Sequence, residues 1–206
     1  MGAFAFDAAN GSESDNIAIG YAALGNLDHN DATENIAIGN YAGDGMGAFG
    51  STHNIFVGSH SGGGTWDTAA SHNNVGVGNY TMDAAMDTAS NNTAVGHAAL
   101  SGLLHGDDNT VVGYQAGNDI TDGVNNVIVG SVAGDAIVGG SSNVIMGYGA
   151  GGSTTAGLSM TIVGYGAGAA NLTSAAVGSV FIGHSAGGLV TSGIGNVAIG
   201  YQAMDA

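Results

Sequence analysis

A glycine that recurs every 17 to 20 residues is the feature that most constrains how this chain folds. Each copy follows a short apolar triplet that asparagine usually precedes, as in NIAIG at residues 16–20. The eleven copies are Gly20, Gly39, Gly58, Gly78, Gly96, Gly113, Gly130, Gly147, Gly164, Gly183 and Gly200. A period this regular is typical of a solenoid, in which each repeat forms one coil that stacks on the next. The repeat therefore predicts one continuous array over residues 16–206, and a half-rung or assembly segment over residues 1–15.

The triplet before each glycine predicts a β-strand. Examples are Thr110-Val111-Val112 and Val180-Phe181-Ile182, in which β-branched residues suit a pleated ladder. Helix is disfavoured because glycine recurs every few residues. We therefore expect an all-β protein, a parallel β-solenoid or β-roll of about eleven coils, which at about 4.8 Å per rung gives a rod of roughly 50 Å.

The third residue of every triplet is large and aliphatic, from Ile19 to Ile199, and we expect it to point into the coil. The middle residue should then point outward, because successive side chains of a strand face opposite ways. It is apolar throughout, so it would form an apolar stripe along the rod, and such stripes mark interfaces. The largest members of this expected interface are Phe56, Val111, Ile128, Ile145, Ile162 and Phe181.

Asparagine opens nine of the eleven copies. Its amide bonds readily to nearby main chain, and identical amides on stacked rungs can bond to one another. We therefore expect a structural ladder formed by Asn16, Asn35, Asn54, Asn74, Asn92, Asn109, Asn126, Asn143 and Asn196.

The composition excludes several classes of partner. The chain has 16 acidic residues and no Lys, Arg, Cys or Pro. Nothing fixed and positive could neutralise phosphates, so we expect no binding to nucleic acid or to an anionic membrane. Thiolate metal sites are excluded, and the apolar runs are far shorter than the roughly 18 residues of a membrane span, so no membrane insertion is expected.

Acidic residues cluster in several of the linkers between triplets. The candidates are Asp28, Asp31, Glu34, Asp107, Asp108, Asp119 and Asp122. Oxygen ligands on tight turns suit Ca²⁺, which would also relieve repulsion between stacked copies. The alternative is that these acids are solvated and keep the protein soluble. No cofactor is required by either interpretation.

Two short motifs suggest catalysis but fall within the repeat. GHSAG at residues 183–187 fits the nucleophile elbow of hydrolases, and GYGAGG at residues 147–152 fits a dinucleotide-binding loop. The glycines fall in register with the repeat, since Gly183 and Gly147 are repeat glycines, and no helix is expected to follow either motif. We therefore expect a protein that is not an enzyme. A solenoid polysaccharide-active enzyme is the alternative of another class.

The pattern Asn-x-Ala-Ile/Val-Gly followed by Tyr/His-x-Ala resembles the head repeat of trimeric autotransporter adhesins and the related repeats of phage tail fibres. It is clearest in residues 16–23, 35–42, 92–99 and 196–203. The resemblance implies a left-handed parallel β-roll, three chains packed around a common axis, and a surface that binds host matrix or a receptor. The adhesin repeat is shorter than the repeat of this chain.

These observations together predict a structural fibre protein that associates with itself, as a trimer or as an end-to-end filament. We expect it at the cell surface or outside the cell, in an adhesive role, and a phage tail fibre or receptor-binding protein on a virion is the alternative. His97 and His184 share a position with Tyr21, Tyr114, Tyr148, Tyr165 and Tyr201. This aromatic row is expected to stack, and it offers a possible platform for carbohydrate.

Overall fold

A computed structural model describes residues 2–6, 13–47, 49–66, 69–170, 172 and 177–205. Within them the protein is an all-β solenoid of eleven three-residue strands. The strands are β1 (Ile17–Ile19), β2 (Ile36–Ile38), β3 (Ile55–Val57), β4 (Val75–Val77), β5 (Thr93–Val95), β6 (Thr110–Val112), β7 (Val127–Val129), β8 (Val144–Met146), β9 (Thr161–Val163), β10 (Val180–Ile182) and β11 (Val197–Ile199). They form one parallel sheet in chain order, so the predicted β-solenoid is confirmed.

The strands pair without any shift from one rung to the next. Ile17 lies beside Ile36, Ala18 beside Ala37, and the same alignment continues to β11. The N–H of each first strand residue from β1 to β10 donates to the carbonyl of the residue that precedes the next strand, as in Ile17 to Asn35 at 2.8 Å. That residue is asparagine except at Met160 and Ser179. Identical positions therefore form straight columns along the rod, and a substitution in one rung always meets its counterparts in the neighbouring rungs.

The repeat glycine allows neighbouring coils to approach each other closely. Gly113 has φ +145°, and a Cβ there would overlap the carbonyl oxygen of Gly130 in the next rung. The same contact recurs from Gly20 to Gly183. Glycine thus recurs once per rung because the backbones of neighbouring rungs touch at this position and leave no room for a side chain.

The middle residue of each strand points into the coil, so the predicted orientation of the triplet was wrong. The middle residue is buried in ten strands and half-buried in β1, whereas the first and third residues are never buried. The residues predicted to form an interface are all 0% exposed: Phe56, Val111, Ile128, Ile145, Ile162 and Phe181. The physical reason is that all three positions are apolar, so alternation alone shows that the first and third share a face but not which face is inside.

Each rung fills its core from three places. One side chain comes from the middle of the strand, and another from the turn after the repeat glycine, which is large in some rungs, as at Leu24 or Leu100, and glycine in others, as at Gly62. The third comes from the return segment, such as Leu103 or Ile120. Residues 2–6 add a partial rung at one end, where the Phe6 N–H donates to the Ala23 carbonyl at 2.9 Å. None of the described residues belongs to a helix able to span a bilayer.

Candidate interaction surfaces

The asparagine column is a continuous chain of buried amides. In the rung of Asn109, the side-chain Nδ2 donates to Asn92 Oδ1 at 2.9 Å and to the Gly123 carbonyl at 2.8 Å. Its Oδ1 accepts from the backbone N–H and the Nδ2 of Asn126, at 3.0 and 2.9 Å. The same pattern joins Asn16, Asn35, Asn54, Asn74, Asn92, Asn109, Asn126 and Asn143. Each amide thereby ties the start of its strand to the return segment of its own rung and to the asparagines of the neighbouring rungs.

The amide chain ends where the sequence departs from asparagine. The Met160 N–H still donates to Asn143 Oδ1 at 3.0 Å, but methionine has no side-chain amide that could bond to the next rung. Asn196 follows Ser179 and makes no bond to another asparagine side chain; its Nδ2 donates to the Gly193 carbonyl at 2.9 Å. Eight of the nine predicted members are therefore joined by side-chain hydrogen bonds. The side-chain amide of Asn196 bonds only to carbonyls of the turn before it.

The outward residues of the strands form an uncharged surface along the rod. We name this surface the strand face, and define it as the first and third residues of β1 to β11. All twenty-two are Ile, Val, Thr or Met. Twelve of them are large apolar side chains that remain at least 37% exposed. The sequence predicted an apolar outer stripe, but the stripe consists of these two columns rather than of the middle residues.

The aromatic row follows the repeat glycines. Its members are Phe4, Tyr21, Tyr41, His60, Tyr80, His97 and Tyr114, and, beyond Val132, Tyr148, Tyr165, His184 and Tyr201. Tyr148 and Tyr165 are typical of the stacked pairs, with centroids 5.3 Å apart and planes 12° apart. The stacked row predicted from the sequence is therefore present over most of its length.

The stacking limits what this row can offer to a ligand. Because stacked rings turn their faces toward each other, they present edges to the solvent. A flat platform for sugar rings requires exposed ring faces, which the stacked pairs from Tyr148 to Tyr201 do not provide. Carbohydrate binding through this row stays a hypothesis.

A column of carboxylates runs beside the aromatic row, five residues after the repeat glycines. It contains Asp44, Asp83, Asp135 and Asp205, and a glycine occupies the neighbouring rung in each case. Burial raises the pKa of the Asp44, Asp83 and Asp135 carboxyls, and the charge of His60 opposes that rise at Asp44 and Asp83. No two members of this column lie on adjacent rungs, but the charge of Asp119 on the rung before Asp135 adds to the rise in the pKa of Asp135.

The acids predicted to bind calcium lie in several separate loops. Glu34 pairs with His53, and Asp122 Oδ1 lies 2.7 Å from His105 Nδ1. Asp107 accepts the Ser90 N–H at 2.7 Å, and Asp119 accepts from Asn118 at 2.8 Å. Asp31 lies 3.9 Å from His29.

Asp28 and Asp108 lie on these loops as well. Within the described ranges no three acidic or histidine side chains converge on a metal position. Calcium binding stays a hypothesis.

The serine of GHSAG lies in an ordinary turn of the repeat. Ser185 has φ 53°, and its hydroxyl lies 3.1 Å from Nδ1 of the adjacent His184. Ala198 of the following rung is part of the core, and Gly183 makes the rung contact described above. The glycines of GYGAGG likewise belong to the turn of their rung, since Gly149 and Gly151 both have φ +60°.

No protein-family model matches this sequence, and the comparisons with curated proteins and with solved structures likewise give no match.

Proposed function

We propose that this chain is a non-enzymatic structural rod that assembles with copies of itself through the strand face. The assembled fibre would be displayed outside the cell, where it serves in adhesion. The observation that carries the proposal is the strand face itself, which is uncharged along the whole length of the sheet and leaves twelve large apolar side chains at least 37% exposed.

The size of the strand face favours an interface. A Val or Ile with this exposure leaves on the order of 60 Å² accessible, so the twelve most exposed side chains give on the order of 700 Å² per copy, to which the ten less exposed positions add. A stable interface needs about 800 Å² from each partner, and the largest apolar patch of an ordinary monomer covers about 300–600 Å². The strand face therefore exceeds what a solvated surface normally exposes.

The distribution of charge favours the same face. The chain carries 16 acidic residues and no Lys or Arg, so two copies repel each other over most of their surface. None of the acids lies in a strand. Contact between strand faces would therefore bury no charge, and the repulsion between the remaining surfaces would be reduced by salt.

A fibre of this composition also suits an exposed location. Trypsin-like proteases cut after Lys or Arg, and this chain contains neither. The resemblance to adhesin heads implies three chains around a common axis, an arrangement in which three strand faces would meet.

The test is a comparison of two charge substitutions on side chains of similar exposure. Met146 is on the strand face and 41% exposed, whereas Val138 is off it and 45% exposed. Met146→Asp should shift the wild-type assembly to smaller species in sedimentation velocity and in electron micrographs, because the interface would bury an unpaired carboxylate. Val138→Asp should assemble as the wild type does.

Circular dichroism of both variants should remain that of the wild type, since neither side chain is in the core. A wild-type protein that sediments as a monomer at all concentrations would refute self-assembly. An assembly that tolerates Met146→Asp would refute the strand face as its interface.

A further inference from the structure

A groove at one end of the aromatic row combines edge-to-face rings with a carboxylate. It is lined by the rings of Phe4, Tyr21 and Tyr41 together with Asn26 and Asp44. The three rings remain between 36% and 58% exposed. The groove is therefore an open recess with aromatic walls and one carboxylate.

The three rings in this groove are not stacked on one another, although Tyr41 is stacked on His60 on its other side. The plane of Tyr21 makes an angle of 82° with Phe4 and 68° with Tyr41, with centroids 5.6 and 5.3 Å apart. Tyr41 is stacked on His60 at 29°, so its ring face is directed along the row and Tyr21 meets that face with an edge. Neither Phe4 nor Tyr41 is therefore stacked face to face on Tyr21. From Tyr148 onward the angles are 12° to 27°, and the ring faces are covered by the neighbouring rings.

A free ring face beside a carboxylate favours a cation. The face of an aromatic ring is negative, and it attracts a cation within about 6 Å of the centroid. Asp44 adds a formal negative charge, and its pKa is raised by burial, which means that the carboxylate lacks full hydration. A bound cation would compensate the Asp44 carboxylate for the hydration that it lacks. The chain has no Lys or Arg of its own to supply such a cation.

The shape and polarity of the groove favour a weakly hydrated cation. A primary ammonium is strongly hydrated and loses more on entering an apolar recess. A quaternary ammonium group carries its charge on methyl groups that can contact several rings at once. The net charge of −16 would also raise the local concentration of any cation.

We propose that Phe4, Tyr21, Tyr41 and Asp44 form a binding site for a small soluble quaternary ammonium compound. Tyr21 supplies the ring face, Phe4 and Tyr41 limit the site along the rod, and Asp44 supplies the counter-charge. The site does not depend on self-assembly.

The experiment is a titration of the full chain with tetramethylammonium chloride, followed by calorimetry and by saturation-transfer NMR, at constant ionic strength set with NaCl. We expect saturable binding with a dissociation constant of about 1 mM. Tyr21→Leu and Asp44→Asn should each weaken binding about tenfold, because each removes a direct attraction. Tyr21→Phe retains the ring and should bind as the wild type does.

Tyr165→Leu is the matched control, since it removes a ring of the same row from a fully stacked part. It should leave binding unchanged. Absence of saturation at ten times the expected dissociation constant would overturn the proposal. Equal binding by the wild type and Tyr21→Leu, with both shown to be folded by circular dichroism, would overturn it as well.

Discussion

The ring of Phe56 occupies the space that a side chain at Gly62 would need. A Cβ at Gly62 would lie 2.7 Å from Cδ2 and Cε2 of Phe56, and Gly62 has φ +63°. The two residues come from the strand and the turn of the same rung, and both face the core. The volume of one therefore sets the volume allowed to the other.

The same reciprocity holds along the rod. Where the middle strand residue is small, the turn supplies a large side chain, as in Ala94 with Leu100. Where the middle residue is large, the turn supplies glycine, as in Phe181 with Gly187. The rung of Ala37 and Gly43 has two small residues, and there Met46 from the return segment fills the space. The turn and the return segment thus compensate for the size of the middle strand residue, rung by rung.

Gly62→Ala should destabilise the protein by about 2–5 kcal/mol. Alanine costs about 1–2 kcal/mol in a left-handed conformation, and overpacking against Phe56 adds about 1–3 kcal/mol. Gly166→Ala is the matched control, because Gly166 has φ +58° but its nearest neighbour would be Ser185 Oγ at 3.8 Å. Gly166→Ala should therefore cost only about 1–2 kcal/mol, which is the cost of placing alanine in a left-handed conformation. Urea unfolding followed by circular dichroism measures both, and equal losses would show that the contact with Phe56 is unimportant.

Exchanging the sizes of the pair should recover stability. Phe56→Ala alone leaves a cavity and should cost about 3–5 kcal/mol. Combining it with Gly62→Leu recreates the Ala94 and Leu100 rung, in which Leu100 has φ 50°. The double variant should be more stable than the sum of the two single losses predicts, by about 1–3 kcal/mol. Strict additivity in the double-mutant cycle would contradict the proposed reciprocity.

The inverse relation in size between the middle strand residue and the turn residue is the feature of the sequence that shows which side chains are inside the coil. The period, the strands and the parallel stacking follow from repeat glycines, β-branched triplets and asparagines, all of which are local. The direction of the triplet does not, because Ile17, Ala18 and Ile19 are all apolar. Only the correlation in size between positions such as Phe56 and Gly62 shows that the middle residue and the turn share one interior.

The surface sites could be predicted less well, for a related reason. The spacing of the repeat varies between 17 and 20 residues, so the sequence does not show which loop side chains of neighbouring rungs meet. The pairing of His105 with Asp122 is an example of such a contact between loops. The orientation of the Tyr21 ring depends on packing against Phe4 and Tyr41. The sequence shows where the rings are in the chain but not how their planes are oriented.

Asn109→Ala should destabilise the protein by about 3–5 kcal/mol. The substitution leaves the Gly123 carbonyl and the N–H groups of Asn126 without partners in a buried site, and each unsatisfied group costs about 1–3 kcal/mol. Asn196→Ala is the control, because Asn196 is half-buried and its Nδ2 bonds only to carbonyls of its own turn. It should cost about 1 kcal/mol or less. Denaturant unfolding of both variants decides whether the amide ladder acts as a unit, and a small loss for Asn109→Ala would contradict it.

The carboxylate column predicts that stability depends on pH in an unusual direction. Burial raises the pKa of Asp83 above its ordinary value of about 4, so the folded state binds this proton more readily than the unfolded state does. As the pH falls from neutral through the raised pKa, the folded state is therefore stabilised, and the gain is complete below about pH 4. Asp44 contributes with the same sign, and the charge of His60 opposes both.

Asp83→Asn should remove this cost at neutral pH. We expect the free energy of unfolding at pH 7 to rise by less than about 1 kcal/mol, because the carboxylate is only partly shielded from solvent. The stability gained between pH 7 and pH 4 should become smaller in the variant. Asp108→Asn, in an exposed loop, controls for the loss of one negative charge from the whole chain. Thermal unfolding across this pH range gives the comparison, and identical pH profiles for the two variants would show that Asp83 is no more shielded than Asp108.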